Sequence, residues 1–569
     1  MPAGIMPCME HTLSVDELAE LLQILWTIIA AALVLFMQAG FCALEAGTVR
    51  SKNSINVAIK NIMDMCCSIA GYFMIGYALM FGLSAESIGI IGTPALLLEG
   101  VGRREMLDFL FQATFCATAA TIVSGAIAER CRFFPYLLMA LGIAVFIYPV
   151  YGHWVWGGGW LERLGFHDFA GSAVVHGIGG AVALAGIQVL GPRHGRFDDH
   201  GTARPMTASS MPMVALGVVI LTVGWMGFNG GSAELGVQTP TIVANTLIAA
   251  CFGGLVALLV TWSFAGLASV EMILNGVLGG LVAITAGADV MQPVSSMVIG
   301  MLGGGVVVLA TVSLQRLRLD DVVGAVPVHL GGGIVGVLAV ALFCPVAEVP
   351  EDLGRSGFFL VQLLGTAVCV AWGWGMGWLL WLIIGWITPL RTGPGEEQVG
   401  LNFSEHRVRD SFAELSQLMA ASARGEPVSD RLRELEDGEA ASFGMAVAKA
   451  LHDHEHSRLF RLDLADRLAY LAREIEESGV SSGEMAVITS RMTDLSDFIQ
   501  RIQHYLSDHR QESSAIPVLI DLLQRLDDQL QECQQCLPDN RNQPLAKVVE
   551  RLHSLAERSR RGLQQGAST

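Results

Sequence analysis

Two histidines sit where histidines are rare. His176 lies in "VVHGIGG" and His329 in "PVHLGGG", both inside long apolar runs and both reading Val-His-x-x-Gly-Gly. An imidazole has an ordinary pKa near 6.5 and can donate at one nitrogen while accepting at the other, so two of them in matching positions are suited to passing a proton. A single intramembrane histidine is readily a satisfied core residue. A matched pair points to function, because ionisable groups at membrane depth mark ion and proton paths. Asp168, eight residues before His176, is placed to cap the start of its helix and to favour the helix dipole; it could also help attract a cation at longer range. Phe111 and Phe115, four apart, share a helix face and by spacing alone read as core. Lys60 and Asp64 read as an intrahelical ion pair.

The elements that must hold these groups are membrane spans. The 569 residues include 64 glycines and are 52% hydrophobic and 15% charged, a polytopic composition. Apolar runs of spanning length, about 20 residues, fall at 19–46, 54–82, 106–128, 133–156, 168–191, 210–229, 239–265, 268–288, 294–315, 323–344 and 357–390. The histidines then fall in spans five and ten. Five spans separate equivalent positions, an odd number, so the halves must run in opposite directions: an inverted five-plus-five repeat. Arg50, Lys52, Arg130, Arg132, Arg193, Arg196, Arg204, Arg316 and Arg318 all fall in alternate loops. The positive-inside bias therefore puts the N-terminus outside and the C-terminus in the cytoplasm. The opening residues carry no basic stretch followed by a short apolar one, so no cleavable signal is expected. Dense glycine in the spans favours close helix packing.

Of the 88 charged residues, about 40 precede position 401 and about 48 follow it, which divides the chain into a lipid part and an aqueous part. We expect an extracytoplasmic start (1–18), a transmembrane domain (19–391), a cytoplasmic linker (392–425) and an acidic helical domain (426–569). In the last, apolar residues recur at helical spacing, predicting helices over 406–424, 428–478, 482–510, 513–536 and 543–564 in a small bundle. A net charge of −18 without a clustered basic face excludes nucleic acid as a partner. Scattered cysteines read as small core residues rather than a disulfide framework. His452 and His456 could share a helix face and bind metal, and Cys533 and Cys536 form a lone CxxC; a solvated face and reduced cysteines explain both, so no metal or cofactor is expected. No nucleotide, metal or nucleophile constellation suggests an enzyme.

The motifs in order are more specific. "MQAGFCALEAGTVRSKN", "FQATFCATAATIVSGAIAER", "VWGGGW", "DFAGSAVVH", "GWMGFNGGSA", "NGVLGGLVAITAGAD" and "DDVVGAVPVH" resemble the ammonium transporter family (Amt/Mep/Rh) over about 19–406. The resemblance implies an outer ammonium-recruiting site at Trp156, Phe115 and Ser232, an aromatic gate at Phe111 and Phe115, and a pore lined by His176 and His329. Without it, Trp156 would read as an interfacial anchor and Ser232 as part of a turn. It further implies a homotrimer in the inner (plasma) membrane, a function in ammonium transport or sensing, and a PII-type signalling protein as a possible cytoplasmic partner. "TGPGEEQVGLNFSEH" resembles the start of the family's C-terminal region. Arg407 then stands where a glycine usually follows, which argues against tight packing there. "AKALHDHEH" faintly resembles a phosphoacceptor stretch around His452, but no ATP-binding domain follows it.

Overall fold

A computed structural model describes residues 14–82, 89–92 and 96–408. The chain divides into two units, Met1–Arg409 and Asp410–Thr569. The expected tail helices, His452, His456, Cys533 and Cys536 lie outside the described residues.

Among its described residues the first unit forms helices and no strands. Its elements are α1 (Val15–Thr48), α2 (Ser51–Phe81), α3 (Arg103–Ala126), α4 (from Phe133 to Trp156), α5 (Ser172–Leu190), α6 (Met211–Gly230), α7 (Thr239–Ala265), α8 (Val270–Thr285), α9 (Pro293–Arg316), α10 (Val326–Phe343) and α11 (Gly354–Ile387), then the short α12 (Pro394–Val399) and α13 (Leu401–His406). Ten of these are long and apolar enough to cross a membrane. The eighth expected span, 268–288, differs: α8 is a 16-residue helix, about 24 Å long at 1.5 Å per residue and short for a bilayer. Starts are set locally. Ser14, Ser210 and Ser269 cap α1, α6 and α8 through their hydroxyls, each satisfying an otherwise free backbone N–H.

α1 packs along α6, α7 against α8 and α9, and α5 against α11. The large apolar side chains left exposed, such as Leu35 and Phe36 on α1 and Leu360 and Leu364 on α11, suit contact with lipid. α5 and α10 run in opposite directions: the Arg193 N–H beyond the end of α5 donates to Asp320, just before α10, while Ser172 at the start of α5 meets Gly336 well along α10.

These two helices obey one local rule. Each opens with a wide π turn, Ser172–Gly177 and Val326–Gly331, that contains the histidine; such turns recur at functional sites. Each is preceded by an aspartate eight residues before the histidine and a left-handed glycine three residues after the aspartate. Asp168 accepts the N–H groups of Gly171, Ala173 and Val174, and Gly171 has φ 104°. Asp321 accepts those of Gly324, Ala325 and Val326, and Gly324 has φ 80°. The pattern Asp-x-x-Gly-x-x-x-x-His is therefore built twice, antiparallel. The last glycine of each histidine motif lets the helices cross: a Cβ on Gly180 would lie 2.5 Å from the Leu330 nitrogen, and one on Gly333 would strike the Ser172 carbonyl.

Candidate functional site

The rings of the predicted residues form one column, made continuous by Phe228. Phe111 and Phe115 are 4.7 Å apart between centroids. Phe115 stacks on Phe228 at 3.9 Å and 6°, and Phe228 in turn lies 5.3 Å from His176. His176 stacks on His329 at 5.2 Å, with Phe41 6.3 Å beyond His329. Trp156 stands beside the aromatic end of this column, 6.3 Å from Phe115. Its indole N–H donates to the Asp168 carbonyl at 2.7 Å, so the cap of α5 also orients the tryptophan. Gly171 leaves room, since a Cβ there would lie 3.0 Å from the Trp156 ring. Ser232 follows α6 and donates to the Phe228 carbonyl; its neighbour Gly231 abuts Phe111, which a Cβ would meet at 2.9 Å.

The histidine nitrogens face each other. His176 Nδ1 and His329 Nδ1 are 3.2 Å apart. Neutral imidazole carries one N–H, so this contact needs complementary tautomers, with one ring protonated at Nδ1 and the other at Nε2. His176 is fully buried between His329, Phe228 and Trp225, and among the described residues its Nε2 has no hydrogen-bond partner. A buried polar atom without a partner is costly and calls for explanation. A polar molecule passing through this position would supply the missing bond.

Lys60 and Asp64 do not pair, contrary to the sequence reading. Lys60 Nζ donates to the Cys131 carbonyl at 2.6 Å, and Asp64 accepts from Thr121 and Tyr136. Tertiary partners were nearer than the residue one turn away. The C-terminal segment also departs from expectation. It packs closely: Asn402 accepts the Asn56 N–H, the Leu401 N–H donates to Asn53, and His406 lies edge-on to Phe133 at 4.9 Å. Arg407 itself adopts the left-handed φ of 57°.

At the end away from Trp156 the loops close a charge network. Arg193 reaches Asp320 at 2.8 Å and Glu129 at 3.3 Å, Arg50 reaches Glu129 at 2.5 Å, and Arg196 reaches Asp320 at 3.2 Å. Burial pushes Glu129 up, but Arg193 and Arg50 outweigh it and hold the carboxyl at about 2. Asp320 is likewise held well below the usual carboxylate range, the hydrogen bond and charge of Arg193 overcoming its burial.

Sequence reasoning missed Trp225, Phe228 and Asp321. Each left a signal. Trp225 and Phe228 are three apart in "GWMGFNG", hence on one helix face, and Asp321 stands at the same eight-residue distance from its histidine as Asp168.

A helical membrane protein with an inverted repeat and a buried polar centre where two helices cross antiparallel through their opening π turns belongs to the transporter class of folds. The Ammonium Transporter Family model matches residues 25–410. Ammonium transporter Amt2 of Archaeoglobus fulgidus is 42% identical over 67% of this chain and 86% of its own. A Synechocystis sp. protein provisionally named as an ammonium transporter is 40% identical over 86% of this chain and 95% of its own. Among solved structures, a protein titled Sensor Amt Protein matches with TM-score 0.66 and 37% identity, covering 68% of this chain and all of its own. Mep2 of Saccharomyces cerevisiae matches with TM-score 0.61 and 27% identity, over 66% and 88%. The chain belongs to the ammonium transporter family.

Proposed function

We propose that the protein recruits NH4+ at Trp156, Phe115 and Ser232, releases its proton near the Phe111–Phe115 gate, and conducts NH3 and H+ separately past His176 and His329. The observation that carries this reading is the 3.2 Å contact between the histidine nitrogens inside an aromatic column, with His176 Nε2 left without a partner among the described residues. The energetics favour splitting the ion. An aromatic face attracts a desolvated cation by about 2 kcal/mol or more, whereas stripping an ion for an apolar path costs on the order of tens of kcal/mol. Ammonia needs only hydrogen bonds. The proton can cross between the Nδ1 atoms, because the acceptor ring holds its own N–H on the far nitrogen. The basic loops assign the arginine network to the cytoplasm and Trp156 to the outside. The protein then acts as a homotrimer in the inner membrane, with a tail that regulates it and a PII-type protein as a possible partner.

A second reading is an ammonium receptor in which the tail reports occupancy. The structural likeness to a protein titled Sensor Amt Protein supports it. The match to the Synechocystis relative covers too much of this chain to end at residue 409, so the tail is partly shared with a second protein. Ammonium-evoked current in proteoliposomes, measured for the full chain and for a version ending near His406, separates the readings. Current in both supports transport, with any difference assigned to the tail. Silence in both, with folded protein that still binds ammonium, supports the receptor.

A further inference from the structure

Beyond His329, towards the arginine network, lies a small cavity of about 20 Å³, room for one water molecule. Besides His329 its walls include Phe41, Asn275, Gly324 and Glu45. Glu45 is 1% exposed and no ion pair holds it among the described residues. Its Oε2 accepts from Asn61 Nδ2 at 2.9 Å and from Ser124 Oγ at 2.7 Å. The titratable neighbours on α2 are engaged elsewhere, Lys60 with the Cys131 carbonyl and Asp64 with Thr121 and Tyr136. A buried carboxyl without a cation is expensive to keep, and the rest of the structure shows how this chain pairs a carboxylate when pairing is the purpose. Glu129, only one helix end away, receives two arginines.

We infer that Glu45 is the proton acceptor on the far side of the histidine pair. The inference rests on the transport reading above. When the pair carries an extra proton, an imidazolium N–H bond breaks and its electrons stay on the ring. Cavity water carries the proton across, and a carboxyl O–H bond forms on Glu45. The acid then returns its proton to water at the mouth beyond, where ammonia can take it up, and the carboxylate is restored. Asn61 and Ser124 hold the acceptor oxygen in place in the charged state, and a neutral carboxyl at the same site keeps both contacts. The chain of groups thus runs from His176 through His329 and one water to Glu45.

Glu45→Gln tests this, because glutamine preserves the shape and can still accept from Asn61 and Ser124 but cannot take the proton. Full-length protein in proteoliposomes is read two ways, as ammonium-evoked current and as NH3 entry followed by an internal pH dye under a gas gradient. The expected result is a current reduced about 100-fold, the lower end of the range for loss of a proton-transfer group, with NH3 entry within about twofold of the parent. Glu45→Asp should recover a substantial part of the current. Current within twofold of the parent in Glu45→Gln would overturn the inference. So would parallel loss of current and NH3 entry in both variants, since a packing role moves the two together. If the parent itself binds ammonium but passes no current, the transport reading fails and takes this step with it; if the parent conducts and Glu45→Gln conducts equally, only this step fails.

Discussion

The histidine pair and the arginine network are both buried and polar, yet they are built on opposite terms. In the network Glu129 and Asp320 both receive two arginines, and Glu129 holds a left-handed φ of 70° that only over-determined surroundings sustain. In the pair no arginine or lysine is bonded to either ring among the described residues. Two imidazoles touch through one nitrogen each, and a second nitrogen, His176 Nε2, has no partner among the described residues and lies among aromatic rings. The first arrangement fixes loops at one geometry. The second keeps polar capacity free, as a path for a small polar molecule requires.

The contrast would break most visibly at Arg193. Arg193→Ala removes a cation shared by Glu129 and Asp320 and leaves each buried carboxylate with one arginine in place of two, so we expect a loss of about 3 kcal/mol, the low end for breaking a buried pair. A thermal midpoint in detergent close to that of the parent would show the network to be ornamental. The same logic sets a pH dependence. The Glu129 carboxyl sits at about 2 in the folded chain, below the ordinary carboxylate value near 4.3. The unfolded chain therefore takes up its proton first on acidification. The stabilisation is fully present above about pH 4.3 and is lost as pH falls towards 2, by about 3 kcal/mol from this residue. Thermal unfolding across that window should fall steeply in the parent and more gently in Glu129→Gln. Equal slopes would mean other carboxyls carry the acid sensitivity.

At the pair the effect should appear in flux rather than in stability. His176→Ala and His329→Ala should each lower ammonium-evoked current by about 100-fold, the scale of a lost general acid–base group, while destabilising less than Arg193→Ala. Currents unaltered in both would remove the relay, and a midpoint loss as large as that of Arg193→Ala would make the pair another structural clamp.

How much of this contrast could be read from the residues alone follows from how local each part is. The spans, the paired histidines and the repeat were legible because hydropathy and a six-residue pattern are local in the chain. Ring stacking onto Phe228 was not, since it depends on how α3 meets α6. The network was visible only as basic loops. That Arg193 bridges Glu129 and Asp320, 64 and 127 residues away, is a consequence of packing. Lys60 and Asp64 show the limit of the helical neighbour rule: four residues apart, they bond instead to Cys131 and to Thr121 with Tyr136. α8 lies where it was expected but is shorter, because apolar length in sequence counts the turn residues that flank a short helix.

Arg407 sharpens the comparison at its smallest scale. A residue other than glycine at a helix C-terminus in the left-handed region costs about 1 kcal/mol, and Arg407 accepts that φ to let its N–H close the last turn onto the Phe403 carbonyl at 2.9 Å. Its guanidinium lies 5.3 Å over the Phe403 ring, an attraction of about 0.5 kcal/mol at a site near solvent. Arg407→Gly relieves the first term and forfeits the second. The net gain should be a few tenths of a kcal/mol and the thermal midpoint should rise by about 1 °C. A fall instead would mean that the guanidinium contributes more than the backbone costs. The arginine end would then be holding its C-terminal segment by the device it uses at Glu129, a charged side chain fixing a backbone that would otherwise relax.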